Sequence, residues 1–265
     1  MKSVRKRHSA RKTSLAFPLH GTMREYSSSK LHTHDYHQIL TIRSGVTLLE
    51  DADEKRPLYG MMCAFLPAGI PHRSVVIGDE VVYQSLYFCP SLFRGSADDR
   101  IIIYNAGELS SALFNHLATD AKIPFRDNDL KALELFLDTA RADMNKSSFR
   151  FALPRARSAE CARIVAFIES KYAGKIALTD LCSVLPYTAR HISRIFRNEM
   201  MITPYEYLRM FRIFSASVAL QRRERKIVDI AFSCGHESLS VFYADFRKYM
   251  GQTPKEFRRA TNTDD

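Results

Sequence analysis

The sequence predicts an α+β protein with a β-rich N-terminal domain, a helical connector and an all-α C-terminal domain. Before residue 100, short runs rich in Val, Ile, Tyr and Phe alternate with Gly, Pro and Asp, as in "VVYQSLYFC", which is typical of β-strands. After residue 100, apolar residues recur at helical spacing, as between Leu130 and Ala140. From residue 160 onward the pattern is almost wholly helical and the charge is basic.

The size and composition of the chain are those of a globular protein. Its 265 residues suffice for two modest domains, and 46% hydrophobic with 26% charged residues is an ordinary balance. No apolar run approaches the roughly 18 residues of a membrane-spanning helix, and no secretory apolar segment follows the basic N-terminus. The five cysteines are scattered without a C-x-x-C pair, which is typical of reduced thiols. We therefore expect a cytoplasmic protein with no membrane partner.

The net charge of +10 is unevenly distributed. Residues 1–30 hold eight basic side chains and one acidic one, for a net +7, and residues 159–265 hold seventeen and twelve, for a net +5. The middle, residues 31–158, is slightly acidic with a net −2. A localised basic region favours a polyanion partner, most simply nucleic acid. The alternative is a solvated basic surface with no partner.

The C-terminal domain contains an internal repeat. Asp180 and Leu181 recur 49 residues later as Asp229 and Ile230. A second set recurs 50 residues later: Phe196, Arg197, Thr203, Pro204 and Tyr207 become Phe246, Arg247, Thr253, Pro254 and Phe257. Self-similarity of this length indicates a duplicated supersecondary unit. Each copy is predicted to be a short helix, a tight turn and a second helix.

The first copy contains start and stop signals for both of its helices. Thr179 is the predicted N-cap of the first helix, "LTDLCSVL". Pro186 ends that helix, and Thr188 is placed to cap the second, "ARHISRIFRNEM". A helical run of about nineteen residues, 204–222, follows and joins the two copies. Such a helix spans about 28 Å, so the two units are predicted to enter successive major grooves, roughly 34 Å apart.

The second helix of the first copy has two chemically different faces. Ile192, Ile195 and Phe196 lie on one side, whereas Arg190, Arg194 and Arg197 follow at i, i+4 and i+7 on another. A short helix after a tight turn, with exposed arginines, is what major-groove reading by a helix-turn-helix requires. Arginine bonds guanine O6 and N7 with two hydrogen bonds. The alternative is a solvated helix surface.

Residues 160–260 resemble the AraC/XylS family of bacterial transcriptional regulators. The resemblance is carried by "HISRIF" and "TPYEYLRMFR" in the first unit and by "IVDIAFSCGHESLSVFYADFRKYMGQTPKEFRR" in the second. It implies a seven-helix domain with two helix-turn-helix units, which binds double-stranded promoter DNA and contacts RNA polymerase. The groove-facing residues that it implies are Arg190, Ser193 and Arg194 in the first unit and Leu239, Ser240 and Tyr243 in the second. To these we add Arg197 on the arginine face and Arg247, which is better placed for phosphates.

The chain departs from the family pattern at two positions. Met201 stands where the family usually has glycine before "ITP", and His236 stands where phenylalanine commonly follows the second-unit glycine. The second recognition helix also offers no arginine to base edges in its first turns. We therefore expect the first unit to contribute more of the sequence specificity.

The N-terminal domain contains a histidine motif that resembles the cupin metal pattern. "HTHDYHQILTIRSG" is His32-x-His34-x3-Gln38-x6-Gly45, and "PAGIPH" supplies His72. Many members of the family carry a cupin-like β-barrel ahead of the DNA-binding domain, and the resemblance implies one here. Gln38 replaces the glutamate of the pattern, and a neutral amide is a poorer ligand for a divalent ion than a carboxylate.

Three interpretations of this motif remain open. In the first, His32, His34, Gln38 and His72 form an effector-binding pocket that hydrogen-bonds a small polar molecule and holds no cofactor. In the second, His32, His34 and His72 bind a divalent metal, with Gln38 as a weak fourth ligand or an orienting group. In the third, the histidines have a structural role only. His37 points to the opposite side of its strand and is not expected to take part.

The predicted fold class is therefore an α+β multidomain protein, with an N-terminal cupin-like β-barrel and a C-terminal all-α domain of two tandem helix-turn-helix units. The predicted segments are a basic flexible arm (1–20), a sensor barrel (21–100), a helical connector with the dimerisation element (101–145), a linker (146–159) and the DNA-binding domain (160–260).

These predictions favour a transcriptional regulator, such as an activator, in which an effector shifts a homodimer between DNA-binding states. The predicted dimer face comprises Leu113, Leu117, Leu130, Leu133 and Leu137; the alternative is that this face packs on the barrel. The rival function is a metal-dependent cupin enzyme, a dioxygenase or isomerase, with an accessory DNA-binding domain. We expect no enzyme activity, because an enzyme has no need of a duplicated basic helix-turn-helix domain.

Overall fold

The chain folds into two compact units. The computed structural model describes residues 15–24, 30–60, 62–93, 100–121, 123–147, 151–221 and 224–261. One unit contains residues 1–49 and 58–148, and the other contains residues 50–57 and 149–265. The first is rich in β-sheet and the second is almost entirely helical, which confirms the predicted fold class at this level.

The described N-terminal residues form six strands: β1 (Ala16–Arg24), β2 (His37–Glu50), β3 (Glu54–Tyr59), β4 (Met62–Leu66), β5 (Arg73–Phe88) and β6 (Ile102–Asn105). Residues 54–57 of β3 belong to the second unit. Strand β5 lies between β1 and β2, while β4 pairs with both β2 and β6. The β1–β5 pair is antiparallel, with Ala16 opposite Phe88 and Arg24 opposite Glu80. Among the described strands this pairing does not close into a ring, so the barrel itself stays a prediction.

The close approach of a neighbouring strand explains why the histidine motif contains a glycine at position 45. Gly45, within β2, has a φ of 83°. A Cβ atom built there would lie 2.3 Å from the carbonyl oxygen of Glu80. Only glycine tolerates both the left-handed backbone and this close approach of a neighbouring strand. The glycine therefore follows from strand packing and needs no direct role in a binding site.

Two helices and a π-helical turn cover one face of the sheet. They are α1 (Glu108–Asn115), the π turn His116–Asp120 and α2 (Asp127–Lys146). Their apolar residues Leu117, Leu133 and Leu137 are buried in one core with sheet residues such as Phe65 and Phe88. Burial of such a face is the main stabilisation available to an amphipathic helix.

This packing corrects the predicted dimer face. Leu117, Leu133 and Leu137 are at most 3% exposed, and Leu113 packs against the same core. Of the five predicted leucines, Leu130 is the most accessible, at 37%. The alternative, in which this face packs on the sheet, is therefore what the structure has.

The described residues of the second unit form six helices and a short strand: β7 (Leu153–Pro154), α3 (Ala159–Lys171), α4 (Ala189–Met200), α5 (Pro204–Leu220), α6 (Ile227–Ser233), α7 (Leu239–Met250) and α8 (Pro254–Thr261). A 3-10 helix, Leu178–Ser183, precedes α4. The predicted joining helix is α5, whose 17 residues span about 26 Å. None of the described helices is both long and apolar enough to cross a membrane.

Capping explains where the helices of the repeat begin. The Thr188 hydroxyl accepts from the His191 N–H at 3.3 Å and begins α4, as predicted. The repeat-related Thr203 and Thr253 do the same for α5 and α8 at 3.1 and 3.3 Å. The predicted cap Thr179 is wrong, because it lies inside the 3-10 helix. There the Asp180 carboxylate accepts from the Ala177 N–H at 2.8 Å instead.

The tip of the β2–β3 hairpin, residues 50–57, is part of the helical unit. Within that unit Lys55 on β3 pairs with Leu153 on β7, and its Nζ lies 3.2 Å from Glu169 Oε1 on α3. The buried Tyr207 hydroxyl donates to the same Glu169 oxygen at 2.7 Å. No local sequence pattern indicates that Lys55 contacts Leu153 and Glu169, because each of these residues lies more than 90 positions from Lys55.

Several predicted boundaries differ from the observed ones. Residues 1–14 of the predicted arm lie outside the described residues, but residues 16–20 are in β1 rather than in an arm. Strand β6 lies inside the predicted connector, and α2 ends at Lys146. The predicted linker 146–159 contains β7, and α3 begins at Ala159.

Candidate functional site

Helix α4 presents the predicted arginine face to solvent. Ile192, Phe196 and Met200 are buried and hold the helix to its domain. Arg190, Arg194 and Arg197 are exposed, and Ser193, between them, is half-buried. The structure therefore brings together the three arginines that the sequence analysis selected on this helix.

The electrostatics of this face suit an anionic partner. Among the described residues none of the three arginines forms an ion pair. Arg194 Nη2 lies 3.5 Å from His191 Nδ1 on the same helix, and an imidazole carries no negative charge to offset the guanidinium. Three exposed guanidinium groups without carboxylate partners create a local positive potential that attracts phosphates and guanine edges.

The C-terminal part of α4 is fixed by a hydrogen-bonded carboxylate. Glu199 Oε1 accepts from the backbone N–H groups of Arg157 and Ser158, at 2.7 and 3.1 Å. These two N–H groups lie at the N-terminus of α3, where such donors otherwise lack a partner. The contact anchors α4 against α3 and limits how the arginine face can move.

Helix α7 is the corresponding helix of the second helix-turn-helix unit, and its predicted contact residues differ in exposure. Ser240 and Arg247 are exposed, whereas Leu239 and Tyr243 are half-buried. Two residues that the sequence analysis missed are exposed on the same helix: Val241, at 52%, and Ala244. The accessible face in the first two turns of α7 is therefore small and apolar.

The internal repeat indicates which residues of α7 correspond to the arginines of α4. With the 50-residue offset that relates Phe196 to Phe246, Arg190 corresponds to Ser240 and Arg194 corresponds to Ala244. Applying that offset to the arginines would have identified Ala244 from the sequence. It also shows that the second unit replaces both arginines with small residues.

A buried ion pair holds α7 to the joining helix α5. Asp245 is 2% exposed, and its Oδ2 accepts from Arg209 Nε at 2.9 Å. Arg209 Nη2 donates to the other carboxylate oxygen, so the pair is bidentate. These hydrogen bonds with Asp245 raise the pKa of Arg209 above its ordinary value. Such geometry fixes the orientation of α7 relative to α5.

His236, just before α7, is buried without full hydrogen bonding. The residue is 5% exposed, its ring packs edge-on against Phe242, and its Nε2 atom has no hydrogen-bond partner among the residues that the structure describes. Burial, followed by the charge of Arg212, lowers its pKa to about 4. The ring is therefore neutral at physiological pH and packs against the aromatic ring of Phe242.

The predicted effector residues also meet in space. His32 and His72 form an isolated antiparallel bridge, with ring centroids 4.5 Å apart, and the His34 ring lies 4.9 Å from that of His72. His34 Nε2 lies 3.0 Å from Gln38 Oε1, and Gln38 Nε2 lies 2.9 Å from Ser85 Oγ. We call His32, His34, Gln38 and His72 the histidine cluster.

The hydrogen bonds of the cluster select one tautomer. The Nδ1 atoms of His32, His34 and His72 lie 2.8, 2.6 and 2.8 Å from the carbonyl oxygens of Lys30, Tyr36 and Ile70. A carbonyl only accepts, so each Nδ1 carries the proton and each neutral ring has an acceptor at Nε2. Burial lowers the pKa of His34 and so favours its neutral form.

The tautomer of His34 also determines the orientation of the Gln38 amide, with its oxygen and nitrogen exchanged. Since His34 Nε2 is an acceptor, the amide nitrogen of Gln38 must face it, and the amide oxygen then accepts from the Ser85 hydroxyl. Amide orientation is assigned from the hydrogen-bond network in this way, because oxygen and nitrogen have nearly the same shape. The cluster then offers acceptor nitrogens, which suit a hydroxyl or amine donor.

His37 lies apart from the cluster, as predicted. Its Nδ1 accepts from the Ala68 N–H at 3.0 Å, and its ring packs against Phe65 and Phe88. In the part of the chain that the structure describes, no group of three His, Cys, Asp or Glu side chains is arranged to hold a metal ion.

A separate pocket lies beside the paired strands β1 and β5. It has a volume of about 390 Å³, and its lining includes His20, Arg43 and Thr119. Arg43 donates to Gln84 Oε1 at 2.7 Å and to Asn115 Oδ1 at 2.6 Å. No residue of the histidine cluster lines this pocket, so the two locations can be tested separately.

Comparison with known proteins places both units in one family. Residues 17–124 match the model of the AraC-like ligand binding domain, and residues 181–260 match that of a helix-turn-helix domain. The chain belongs to the AraC family. This membership confirms the resemblance that the sequence motifs carried.

The relatives of this AraC family member are regulators. It is 29% identical over 97 residues to the melibiose operon regulatory protein of Escherichia coli K12, covering 37% of this chain and 32% of that protein. It is 29% identical over 102 residues to the transcriptional activator AarP of Providencia stuartii, covering 38% of this chain and 76% of that protein. The chain thus spans about a third of the length of the melibiose regulator, and neither relative is named as an enzyme.

Solved structures give a weaker likeness. ToxT from Vibrio cholerae is 16% identical with a TM-score of 0.40, covering 94% of this chain and all of that one. The C-terminal domain of AraT from Geobacillus stearothermophilus is 24% identical with a TM-score of 0.38, covering 42% of this chain and 95% of that one. Similarities at this level do not identify which residues form a functional site.

Proposed function

We propose that this AraC family member is a sequence-specific DNA-binding transcriptional regulator that acts in the cytoplasm and responds to a small effector. The observation that supports the proposal best is the face of α4, where Arg190, Arg194 and Arg197 are exposed and without ion pairs among the described residues. The helix is capped at its start and anchored near its end, so the arginines are presented on a rigid element.

The chemistry of this face favours guanine in the major groove. Arg190 and Arg194 are separated by one helical turn, so both can reach base edges while Arg197, further along, contacts phosphate. Each bidentate arginine–guanine contact discriminates against a wrong base by about 1–3 kcal/mol. Two such contacts distinguish a binding site from random DNA.

Selection from a random duplex pool with the full chain tests this function. The expected result is an enriched sequence with guanines that the Arg190→Ala and Arg194→Ala variants no longer require. Arg163→Ala is the matched control, because it removes the same charge from an exposed position on α3. Enrichment of no sequence, or equal effects of all three substitutions, would contradict specific reading by α4.

The histidine cluster is the proposed effector site. Its acceptor nitrogens, together with Gln38 and Ser85, suit a small polar molecule with hydroxyl or amine donors. The alternative ligand is a divalent metal on His32, His34 and His72, because imidazoles oriented by backbone carbonyls are typical of metal ligands. In that case the metal would be held by the three rings, and Gln38 would leave His34 Nε2 and could act as a weak fourth ligand.

Metal content separates these two ligands. The untagged protein is purified without chelator and compared with His72→Ala and with Arg43→Gln, which alters the separate pocket. Stoichiometric metal that only His72→Ala loses would establish a metal sensor. A metal-free protein directs the search to organic effectors, for which loss of binding in His34→Ala but not in Arg43→Gln supports the cluster as the site.

We also propose that the protein acts as a homodimer and contacts RNA polymerase. A ligand shifts an equilibrium only if it binds one state better than the other, so effector binding must change the affinity for operator DNA by the same factor as DNA changes the affinity for effector. Sedimentation of the protein with and without operator DNA tests the dimer. A single protomer bound to each selected operator would contradict it.

A further inference from the structure

The second recognition helix α7 presents a different chemistry from α4. Val241 is 52% exposed, and Ser240 and Ala244 on either side of it are also exposed. Positions 241 and 244 are three apart, and positions 240 and 244 are four apart, so the three residues share one helix face. The first charged residue that this face offers is Arg247, just over two turns from the start of α7.

The internal repeat aligns this face with the arginine face of α4. The 50-residue offset relates Arg190 to Ser240, His191 to Val241 and Arg194 to Ala244. Where the first unit carries guanidinium groups that bond to guanine, the second carries a hydroxyl, a branched aliphatic group and a methyl group. These cannot make the two hydrogen bonds that guanine O6 and N7 require.

Thymine is the base that such a face fits. In the major groove thymine alone among the four DNA bases presents a methyl group, which apolar side chains contact. Ser240 and Ala244 are small and allow the helix to approach closely, so that the two methyl groups of Val241 reach the base. Arg247 and Lys248, further along α7, are exposed and supply the charges for phosphate.

We propose that α7 reads thymine methyl groups through Val241 and Ala244, so that the two units read different bases. This inference rests on the proposed DNA-binding function and adds the base preference of its second unit. The operator is then asymmetric, with a guanine-dependent part bound by α4 and a thymine-dependent part bound by α7.

Replacement of thymine by deoxyuridine tests the proposal, because it removes the methyl group and leaves base pairing intact. The operator selected with the full chain is synthesised with single replacements, and affinity is measured by fluorescence anisotropy at one salt concentration. Removing one buried methyl group costs about a fourfold loss of affinity. We expect that loss at one or two thymines in the half-site bound by α7.

Variants of Val241 make the test specific. In Val241→Ala the sensitivity to deoxyuridine should disappear at the thymine that Val241 contacts, because the branched methyl groups of the side chain are gone, and it should persist at any thymine that Ala244 contacts. Val228→Ala is the matched control, since Val228 is an exposed valine on α6, at 42%, and the sensitivity should persist there. Arg194→Ala should also leave it unchanged.

Each other outcome overturns a distinct claim. Selective operator binding that no deoxyuridine replacement weakens, or a selected half-site without thymine, would overturn methyl reading and leave the DNA-binding function intact. Equal sensitivity in the wild type and Val241→Ala would overturn the role of Val241. Absence of any selective duplex binding would overturn the proposed function itself.

Discussion

The two helix-turn-helix units share a repeat but differ in how they are held together and in what they present. The first begins α4 with a threonine cap, presents three arginines and ends in Met201 with a φ of 59°. The second begins α7 after Ser238 without a side-chain cap, presents small apolar residues and ends in Gly251 with a φ of 74°. The second also contains a buried histidine and a buried ion pair.

This difference shows that the two units share the buried residues that hold their helices together, which we call the framework, whereas their exposed residues differ. Both units keep the buried phenylalanine, Phe196 or Phe246, and the following threonine-proline step. The solvent-facing positions between them diverge, because they contribute little to folding. Substitutions in both units test this division between framework and surface.

The largest effect is expected from Arg209→Ala, which breaks the framework of the second unit. The substitution leaves Asp245 buried and unpaired, which should cost about 3 kcal/mol of the free energy of unfolding. Chemical denaturation of the full chain measures it. The control is Lys248→Ala, because Lys248 and Glu206 form an exposed pair at 3.7 Å, worth at most about 1 kcal/mol. Equal losses for both variants would contradict the structural weight given to the buried pair.

Arg194→Ala removes a surface contact of the first unit and should leave stability unchanged. Affinity for the cognate site should fall by about 1–3 kcal/mol, with relaxed specificity at one base pair. Arg247→Ala should instead weaken binding to all duplexes and lower the salt dependence by about one counterion. Anisotropy titrations on cognate and scrambled DNA at several salt concentrations distinguish the two. An equal loss of affinity for cognate and scrambled DNA in Arg194→Ala would show that Arg194 contacts phosphate and not a base.

His236→Phe should remove a pH dependence that belongs to the second unit. The folded-state pKa of about 4 lies below the ordinary value of 6.5, so the unfolded chain takes up a proton first as the pH falls. Stability is therefore fully present above pH 6.5 and declines between pH 6.5 and 4, by about 2 kcal/mol at pH 5.

Urea denaturation at pH 5 and pH 8 checks this, with His20→Phe, at an exposed site in β1, as control. The difference in stability between the two pH values should shrink in His236→Phe by about 2 kcal/mol. An unchanged difference would mean that His236 titrates normally in the folded protein.

Met201→Gly should give the smallest effect and the opposite sign. Met201 is 80% exposed and adopts the left-handed conformation that disfavours side chains, so glycine should stabilise the first unit by about 1 kcal/mol. The opposite substitution Gly251→Ala should destabilise the second unit by about the same amount, because Gly251 has a φ of 74°. No atom of the described residues lies within 4 Å of the added Cβ to change that cost. Thermal unfolding measures both. Equal signs would show that backbone conformation does not decide these two positions.

Local signals in the sequence predicted much of the framework. Thr188 marked the start of α4 because a cap acts within three residues, and the repeat located α7 and α8. The histidine cluster was found because His32, His34 and Gln38 lie on one short segment. His72 joined it through the proline-glycine motif of a neighbouring segment.

Long-range packing was beyond the reach of such signals. No local pattern shows that Lys55 contacts Glu169, 114 positions away, or that the leucines of α2 pack on the sheet instead of a partner chain. The exposure of Val241 was missed for a related reason, because valine is typical of a core position and the helix orientation, fixed by Asp245 and Arg209, decides that it is exposed. Ala244 was missed although the repeat relates it to Arg194.

Competition binding at physiological salt tests the central claim most directly. The full chain is bound to its selected operator, and the operator is displaced by random duplex of equal length. A sequence-specific regulator should bind the operator at least about 10³-fold more tightly than random DNA, and Arg190→Ala/Arg194→Ala should lose most of that ratio. Equal affinity for both duplexes would contradict sequence-specific reading and leave only a basic domain that binds DNA through its charge.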